Sequence, residues 1–423
     1  YWVFGRNKFR GYIELRRSGD QEVNKVTQGV RQAIADHAVE PPPGLERWYR
    51  PLVAMSGFPM TGGNHIGLLI NGHETFHSML EAIEAARSYI LVQFFIVHND
   101  RVGNAFQAAL LRKAGEGVSV YFLYDEVGSR KLSKRYIQVL REAGITVAAF
   151  DTTRGRGNRF QINFRNHRKL LVVDGREAFV GGLNLGDEYL MQTERYGSWR
   201  DTHVAVRGPA VQSLQLTFAR DWYWATTTIP ALSREVPGGQ GNASLLVLAS
   251  GPADELETCE LFFVNAIELA RERLWISSPY FVPDEAVVRS LQLAALRGVD
   301  VRLLLPARAD HVLVHLSAYS YYDEMLAAGV RLFRYQPGFM HQKVVLVDNH
   351  MAAVGTANLD NRSFRLNFEI TIVAPDAGFA SKVAAMLETD FSNAREVRAQ
   401  DYAGRPFWFK SAVRLARLMA PIQ

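Results

Sequence analysis

Two short stretches hold most of the reactive chemistry in this sequence: His167-Arg168-Lys169 with Asp174, and His341-Gln342-Lys343 with Asp348. Each is followed by a small-residue turn, Gly181-Gly182-Leu183-Asn184 and Gly355-Thr356-Ala357-Asn358, and one offset of 174 residues relates the His, the Lys, the Asp and the Asn. Chance would supply roughly 0.01 copies of such a His-x-Lys-x4-Asp pattern. The chain has 39 Arg against 9 Lys, so lysine at two matched positions is a chemical choice. An imidazole titrates near neutral pH and serves as nucleophile, acid or base. Paired lysines supply compact positive charge, which stabilises the oxygens of a phosphoryl group in transfer. Two His–Lys pairs on a duplicated scaffold therefore point to phosphate-ester chemistry.

The elements that must position these groups follow from the pattern around them. After each Lys comes an apolar run, Leu170–Val173 and Val344–Val347, then a tight turn at Asp174-Gly175 or Asp348-Asn349 and a returning strand. In a strand, residues i and i+2 share a face, so each His projects with its Lys. Two halves related by a pseudo-twofold would bring two His, two Lys, Asn184 and Asn358 around one pocket. One neutral imidazole would attack phosphorus while the other, protonated, serves the leaving alcohol. Each His needs a carboxylate to fix its tautomer. Asp201 and Glu369, each at a strand start about 30 residues beyond the His of its own half, are the candidates.

The duplication reaches further. Ala82-Ile83 with Ala86-Arg87 and Ile90 answers Ala266-Ile267 with Ala270-Arg271 and Leu274, and Gly117-Val118 answers Gly298-Val299. Helical periodicity alternates with these strands, which predicts α/β architecture: two pseudo-symmetric halves, each a mixed, mostly parallel sheet flanked by helices, sharing one active site. The expected organisation is a basic helical arm over 1–50, a first half over 51–226, a linker over 227–243 with Pro237-Gly238-Gly239-Gln240, a second half over 244–400, and an amphipathic tail over 401–423. A net charge of +5 and a pI near 9.2 suit an anionic partner without choosing one. One cysteine, Cys259, excludes an internal disulfide. No apolar run is long enough for a membrane span. The opening Tyr1-Trp2-Val3-Phe4-Gly5, followed by Arg6 and Lys8, reads as the flank of a membrane helix or as a trimmed domain edge.

These residues resemble the phospholipase D superfamily, and the whole chain is similar to bacterial cardiolipin synthases. The resemblance rests on Pro59-Met60-Thr61-Gly62-Gly63-Asn64, Asn163-Phe164-Arg165-Asn166-His167-Arg168-Lys169, Pro279-Tyr280-Phe281-Val282-Pro283 and Asn358-Leu359-Asp360 with Arg362-Ser363. It implies two membrane helices ahead of Tyr1, a bacterial inner-membrane location and a catalytic body on the cytoplasmic side. The implied reaction is phosphatidyl transfer between two phosphatidylglycerols, with no cofactor, no metal and no nucleic acid partner; an oligomer stays open. The implied catalytic set is His167, Lys169, Asp174, His341, Lys343 and Asp348, with Asn184 and Asn358 at the substrate. His167 is the implied nucleophile and His341 the acid, and Asp174 and Asp348 hold the strand turn rather than phosphate. Hydrolytic phospholipase and nuclease remain alternatives on the pocket residues alone.

His73-Glu74-Thr75-Phe76-His77 matches a zinc-protease pattern, but the equivalent helix, Glu257-Thr258-Cys259-Glu260-Leu261, lacks the ligands. His311 and His315 are expected on a helix face at the pocket rim, and Tyr319, Tyr321 and Tyr322 over the pocket or core. Arg154–Arg159 is a basic loop, open to solvent or to headgroups. The tail, with Trp408, Phe409, Val413, Leu415 and Leu418 beside Lys410, Arg414 and Arg417, either lies in a membrane interface or packs on the body.

Overall fold

The structure is a computed structural model that describes residues 10–150, 164–190, 197–236, 241–308 and 310–420. The Tyr1–Gly5 flank, the Arg154–Arg159 loop and Pro237–Gln240 lie outside the described residues. Seven strands build each half. The first has β1 (Thr61–Ile70), β2 (Tyr89–Phe94), β3 (Ser119–Asp125), β4 (Thr146–Phe150), β5 (Leu170–Val173), β6 (Glu177–Gly181) and β7 (Thr202–Arg207). The second has β8 (Ala243–Ser250), β9 (Arg273–Ser277), β10 (Asp300–Pro306), β11 (Arg331–Tyr335), β12 (Val344–Val347), β13 (Met351–Gly355) and β14 (Asn367–Ala374).

From the centre outward the first half runs β1-β7-β6-β5-β2-β3-β4 and the second β8-β14-β13-β12-β9-β10-β11, the same order seven strands on. The central strands β1 and β8 pair antiparallel, so one sheet carries both halves, and the short strands Arg165–Asn166 and Ala394–Glu396 bring its count to sixteen. The sheet is mixed as expected, but antiparallel pairing dominates, which corrects the emphasis on parallel strands. Among the fourteen strands, parallel pairs fall within β2-β3-β4 and β9-β10-β11, the strands joined through helices such as Arg101–Gly115 and Glu285–Leu296; the other parallel pairs are short strands outside this set. The other strands are joined by tight turns or long returns, and a tight turn can only make an antiparallel pair.

Burial explains the continuous apolar runs: β5, β12 and β14 are buried at every position. Helices Asn71–Ala85 and Arg101–Gly115 cover one face of the first half, and Thr258–Leu269 and Glu285–Leu296 that of the second. On the other face lie two long helices, Ala210–Thr226 and Ala377–Ser392, whose core residues join a single apolar cluster spanning both halves. Each also reaches the other half's central strand, Ala210–Thr226 at β8 and Ala377–Ser392 at β1. The N-terminal arm forms helices Arg10–Val26 and Gln28–Ala35 packed on Ala210–Thr226, with Arg16 buried against Asp221. The C-terminal helix Phe407–Arg417 buries Val413 and Ala416 and sets Phe409 on Tyr319, while Phe407, Trp408, Leu415 and Leu418 stay exposed. Among the described residues no helix is long and apolar enough to cross a membrane.

Candidate active site

The hairpin turns set the far end of the motif strands. Asp174 and Asp348 adopt left-handed backbone, φ 52° and 50°, which Asp tolerates better than most residues. The Asp174 carboxylate accepts the backbone N–H groups of Arg87, Ser88 and Tyr89 at 2.8–2.9 Å. Asp348 does the same for Arg271, Glu272 and Arg273 at 2.8–3.0 Å. Both aspartates sit across the strand from the histidines and clamp the helix-to-strand connection before β2 or β9. The contacts shown for Asp174 are to backbone, and Asp348 adds only the His350 ring at 3.5 Å, contacts suited to holding the turn.

At the near end, the segment leading into each motif crosses to the other half. Arg165–Asn166 pairs parallel with Asn367–Phe368 at the start of β14, and the His167 N–H reaches the Phe368 carbonyl at 3.0 Å. Gly338–Met340 pairs parallel with Ser198–Arg200, and the His341 N–H reaches the Arg200 carbonyl at 2.8 Å. The next residue along each partner strand is a carboxylate. Glu369 therefore meets His167 Nδ1 at 2.9 Å, and Asp201 meets His341 Nδ1 at 2.9 Å. Each carboxylate thus orients the His of the other half, so the orienting bonds are exchanged between halves.

Small residues make room for this exchange. A side chain at Gly182 would stand 2.0 Å from Asp201 Oδ1, so glycine is required there. In the second half Thr356 takes that place and donates its hydroxyl to Glu369 at 2.6 Å. Ser363 Oγ and Asn367 Nδ2 add bonds to Glu369 at 2.9 and 3.0 Å. Burial alone would push both carboxylates up, but the imidazole bond and the nearby lysines hold Glu369 and Asp201 below the usual range.

Lys169 and Lys343 are buried and donate to the carbonyls of His167 and His341 at 2.6 and 2.5 Å. Burial pushes them down to about 7 and about 8, and the Lys343 charge further depresses Lys169, so the two ammonium groups sense each other. Burial likewise lowers His167 to about 4, and it lowers His341, with Lys343 adding to the effect. Aromatic rings wall the site: Phe95 lies 5.0 Å from His167, and Trp199 and Phe339 lie 5.3 and 5.8 Å from His341. The result is two oriented imidazoles and two partly neutralised lysines, a set suited to a monoanion that restores their charge.

Asn184 is pinned by both ends of its amide: Oδ1 accepts from Ile96 N at 3.0 Å and Nδ2 donates to the Tyr189 hydroxyl at 2.9 Å, leaving one N–H for a ligand. Asn358 makes one long amide contact to Asp360 at 3.4 Å, and its buried Oδ1 has no partner.

Two buried aspartates escaped sequence reasoning. Asp221 receives Arg168, Gln93 and Asn166, and Asp390 receives Arg200 and Gln342. The middle residue of each His-x-Lys is thereby tied to the long helix behind its own half. The available signal was the repeated Asp-aromatic pair, Asp221-Trp222 and Asp390-Phe391. His73 and His77 are exposed, Glu74 accepts from Ile70 N at 2.7 Å, and His77 pairs with Glu81, so that segment is a helix start rather than a ligand set. The one acidic triad of ligating geometry among the described residues, Glu257, Glu260 and Asp284, holds the Arg365 guanidinium.

Comparison with known proteins gives concordant matches. The family profile "Cardiolipin synthase, PLD-like domain" matches residues 79–222 and 263–393, one copy per half. Cardiolipin synthase A of Pseudomonas putida KT2440 is 50% identical over all of this chain and 88% of its own length. Cardiolipin synthase A of Pseudomonas aeruginosa LESB58 is 51% identical over all of this chain and 86% of its own length. Among solved structures, phosphatidylserine synthase of Haemophilus influenzae Rd KW20 superposes with a TM-score of 0.68 at 15% identity, covering 89% of this chain and all of that one, a likeness of fold.

Proposed function

Since the chain belongs to the cardiolipin synthase family with phospholipase D-like domains, we propose that it is a phosphatidyltransferase making cardiolipin and glycerol from two phosphatidylglycerols. The observation that carries the mechanism is the exchange of orienting carboxylates, which engages Nδ1 of each imidazole and so favours one tautomer, with Lys343 Nζ 3.2 Å from His341 Nε2. Neutral His167 attacks the phosphorus of the first lipid through Nε2. Lys169 and Lys343 offset charge on the nonbridging oxygens, and His341 hands its proton to the departing glycerol oxygen. A hydroxyl of the second lipid's headgroup then attacks the phosphohistidine and gives its proton to His341. The P–N bond breaks, and His167 returns to its starting form. The depressed His167 suits a nucleophile, and a bound phosphate raises His341 towards the form an acid needs.

Anionic phospholipid at a membrane surface is the partner, on the cytoplasmic side of a bacterial inner membrane. The exposed Phe407, Trp408, Leu415 and Leu418, with Arg414 on the same helix, form an apolar and basic face suited to anionic bilayers. The test is mass spectrometry of products from phosphatidylglycerol vesicles, with and without a chelator. Cardiolipin in both samples is expected, since two imidazoles and two lysines supply nucleophile, acid and charge. Phosphatidic acid as the main product would replace this reading with hydrolysis, and activity lost to the chelator and restored by zinc would end the metal-free mechanism.

A further inference from the structure

A second pocket lies beside His341. Tyr280, Asp310, His311, His315 and Arg334 line a narrow pocket that is partly open to solvent. Tyr280 stands between the two chambers. Its ring is edge-on to His341 at 6.5 Å, it lies 6.1 Å from His311 on the pocket side, and its hydroxyl donates to Asp310.

Arg334, on β11, is 6% exposed and carries an unusual burden. It meets the Tyr322 hydroxyl at 2.7 Å, the Ala307 carbonyl at 3.1 Å and the His315 ring at 3.3 Å, lies over the Tyr319 ring at 5.2 Å, and its Nε has no partner. No carboxylate among the described residues pairs with it. Arg16, Arg168 and Arg200 are as deeply buried, and each faces an aspartate. Despite its burial, Tyr322 and Tyr319 hold the guanidinium charged, yet no carboxylate among the described residues neutralises it, so its charge is left to attract an anion arriving from outside. Exposed Arg308 adds a second cation to the lining, while the Asp310 carboxylate is engaged by the Tyr280 hydroxyl and the His311 N–H.

We infer that this pocket receives the phosphate of the acceptor lipid, with Arg334 and Arg308 as its cations and Tyr280 as the divide from the reacting phosphorus. The inference rests on the phosphatidyl-transfer reading and deepens it. Cardiolipin carries two phosphates joined by one glycerol, so the acceptor's own phosphate must be held a few bond lengths from the phosphorus under attack. The His–Lys pairs supply charge for one monoanion, and the second needs its own. Water as acceptor would need no such site. The pocket thus favours a phosphorylated alcohol over water by holding its hydroxyl towards His341. Helix Val312–Tyr319, which lines the pocket, exposes Val312 and Leu313 on its outer side and packs against the C-terminal helix bearing Phe407 and Trp408. Acyl chains of a lipid seated here have an apolar surface to follow.

The experiment sets two acceptors in competition on vesicles of labelled phosphatidylglycerol: the lipid itself, and free glycerol carrying a second label. The readout is the ratio of cardiolipin to glycerol-exchanged lipid. Arg334→Gln and Arg308→Gln should each lower it by about tenfold or more, with added phosphatidic acid, and Arg334→Lys should recover part. Inorganic phosphate should lower the same ratio in the wild-type protein. If it suppresses both products alike, the anion acts at the His–Lys pairs and the proposal is overturned. Melting curves establish folding, and if Arg334→Gln does not fold, Arg308→Gln decides. An unchanged ratio in folded variants overturns the pocket while the transferase reading stands. A wild-type protein that makes no cardiolipin removes both.

Discussion

Each histidine is governed by a carboxylate from the other half, and two residue-level consequences follow. Glu369→Gln and Asp201→Asn keep the shape but let the imidazole take the wrong tautomer, so each should lower kcat by roughly 10²–10⁴. They should differ in the steps they slow. Glu369→Gln should chiefly slow formation of a phosphatidyl adduct on His167, whereas Asp201→Asn, which disables His341 as acid and then as base, should slow both formation and discharge. Rapid-quench trapping distinguishes them, and an adduct on His341 would reverse the assignment. The second consequence is a pH profile. At low pH His167 is protonated and cannot attack, so kcat/KM should rise with pH through a limb near 4. As pH rises the free enzyme loses first the His341 proton that the leaving glycerol needs, below the ordinary imidazole range, and then the Lys169 and Lys343 protons at about 7 and about 8, so kcat/KM should fall in stages and be largely lost above about 8. Bound phosphate raises all four groups, so both limbs of kcat should lie at higher pH. A kcat/KM that is flat from about 6 to about 9 would contradict the depressed lysines.

At the scale of elements, the hairpin aspartates are structural pins. Asp174→Ala leaves three backbone N–H groups without their acceptor and removes a residue suited to left-handed backbone. It should cost about 1–3 kcal/mol in denaturant unfolding, while turnover per folded molecule is retained. Asp174→Asn should cost less, because Asn tolerates that φ and keeps an acceptor oxygen. A folded Asp174→Ala protein without activity would return the residue to the catalytic set. The C-terminal helix divides its labour by face. Phe409, Val413 and Ala416 dock it, so Phe407→Ser with Trp408→Ser should weaken binding to anionic vesicles several-fold, about 1 kcal/mol, without lowering Tm. Unchanged vesicle binding would assign the membrane contact to another surface.

Across the whole molecule, the two halves form one cooperative body. The central β1–β8 pair, the apolar cluster shared by both halves and the exchanged His–carboxylate bonds all cross the seam. Calorimetry should therefore record one unfolding transition, and two well-separated transitions would contradict a shared core. Double-mutant cycles in stability offer a sharper test of the exchange. His167 and Glu369, 202 residues apart in the chain, should couple by roughly 0.5–3 kcal/mol, whereas His167 and Asp201 of the same half should be additive within about 0.5 kcal/mol.

The repeat, the phosphate chemistry and the alternation of strand and helix were all legible in the sequence, because each depends on residue type and local spacing. Histidine two residues before lysine, an apolar run of strand length and a turn residue at its end are local facts that survive any packing of the halves. Three things were decided only by the tertiary structure. Pairing of Asp201 with His341 and Glu369 with His167 could not be read from the chain, because a pseudo-twofold makes same-half and exchanged pairing equally consistent with the repeat. The short strands Arg165–Asn166 and Gly338–Met340, crossing to the opposite half, settle it. The predominance of antiparallel pairing was hidden because buried strands read as apolar runs in either direction. Arg334 was one arginine among 39 until burial without a carboxylate set it apart. Whether a charge has a counter-ion depends on which elements fold against it, and no spacing along the chain records that.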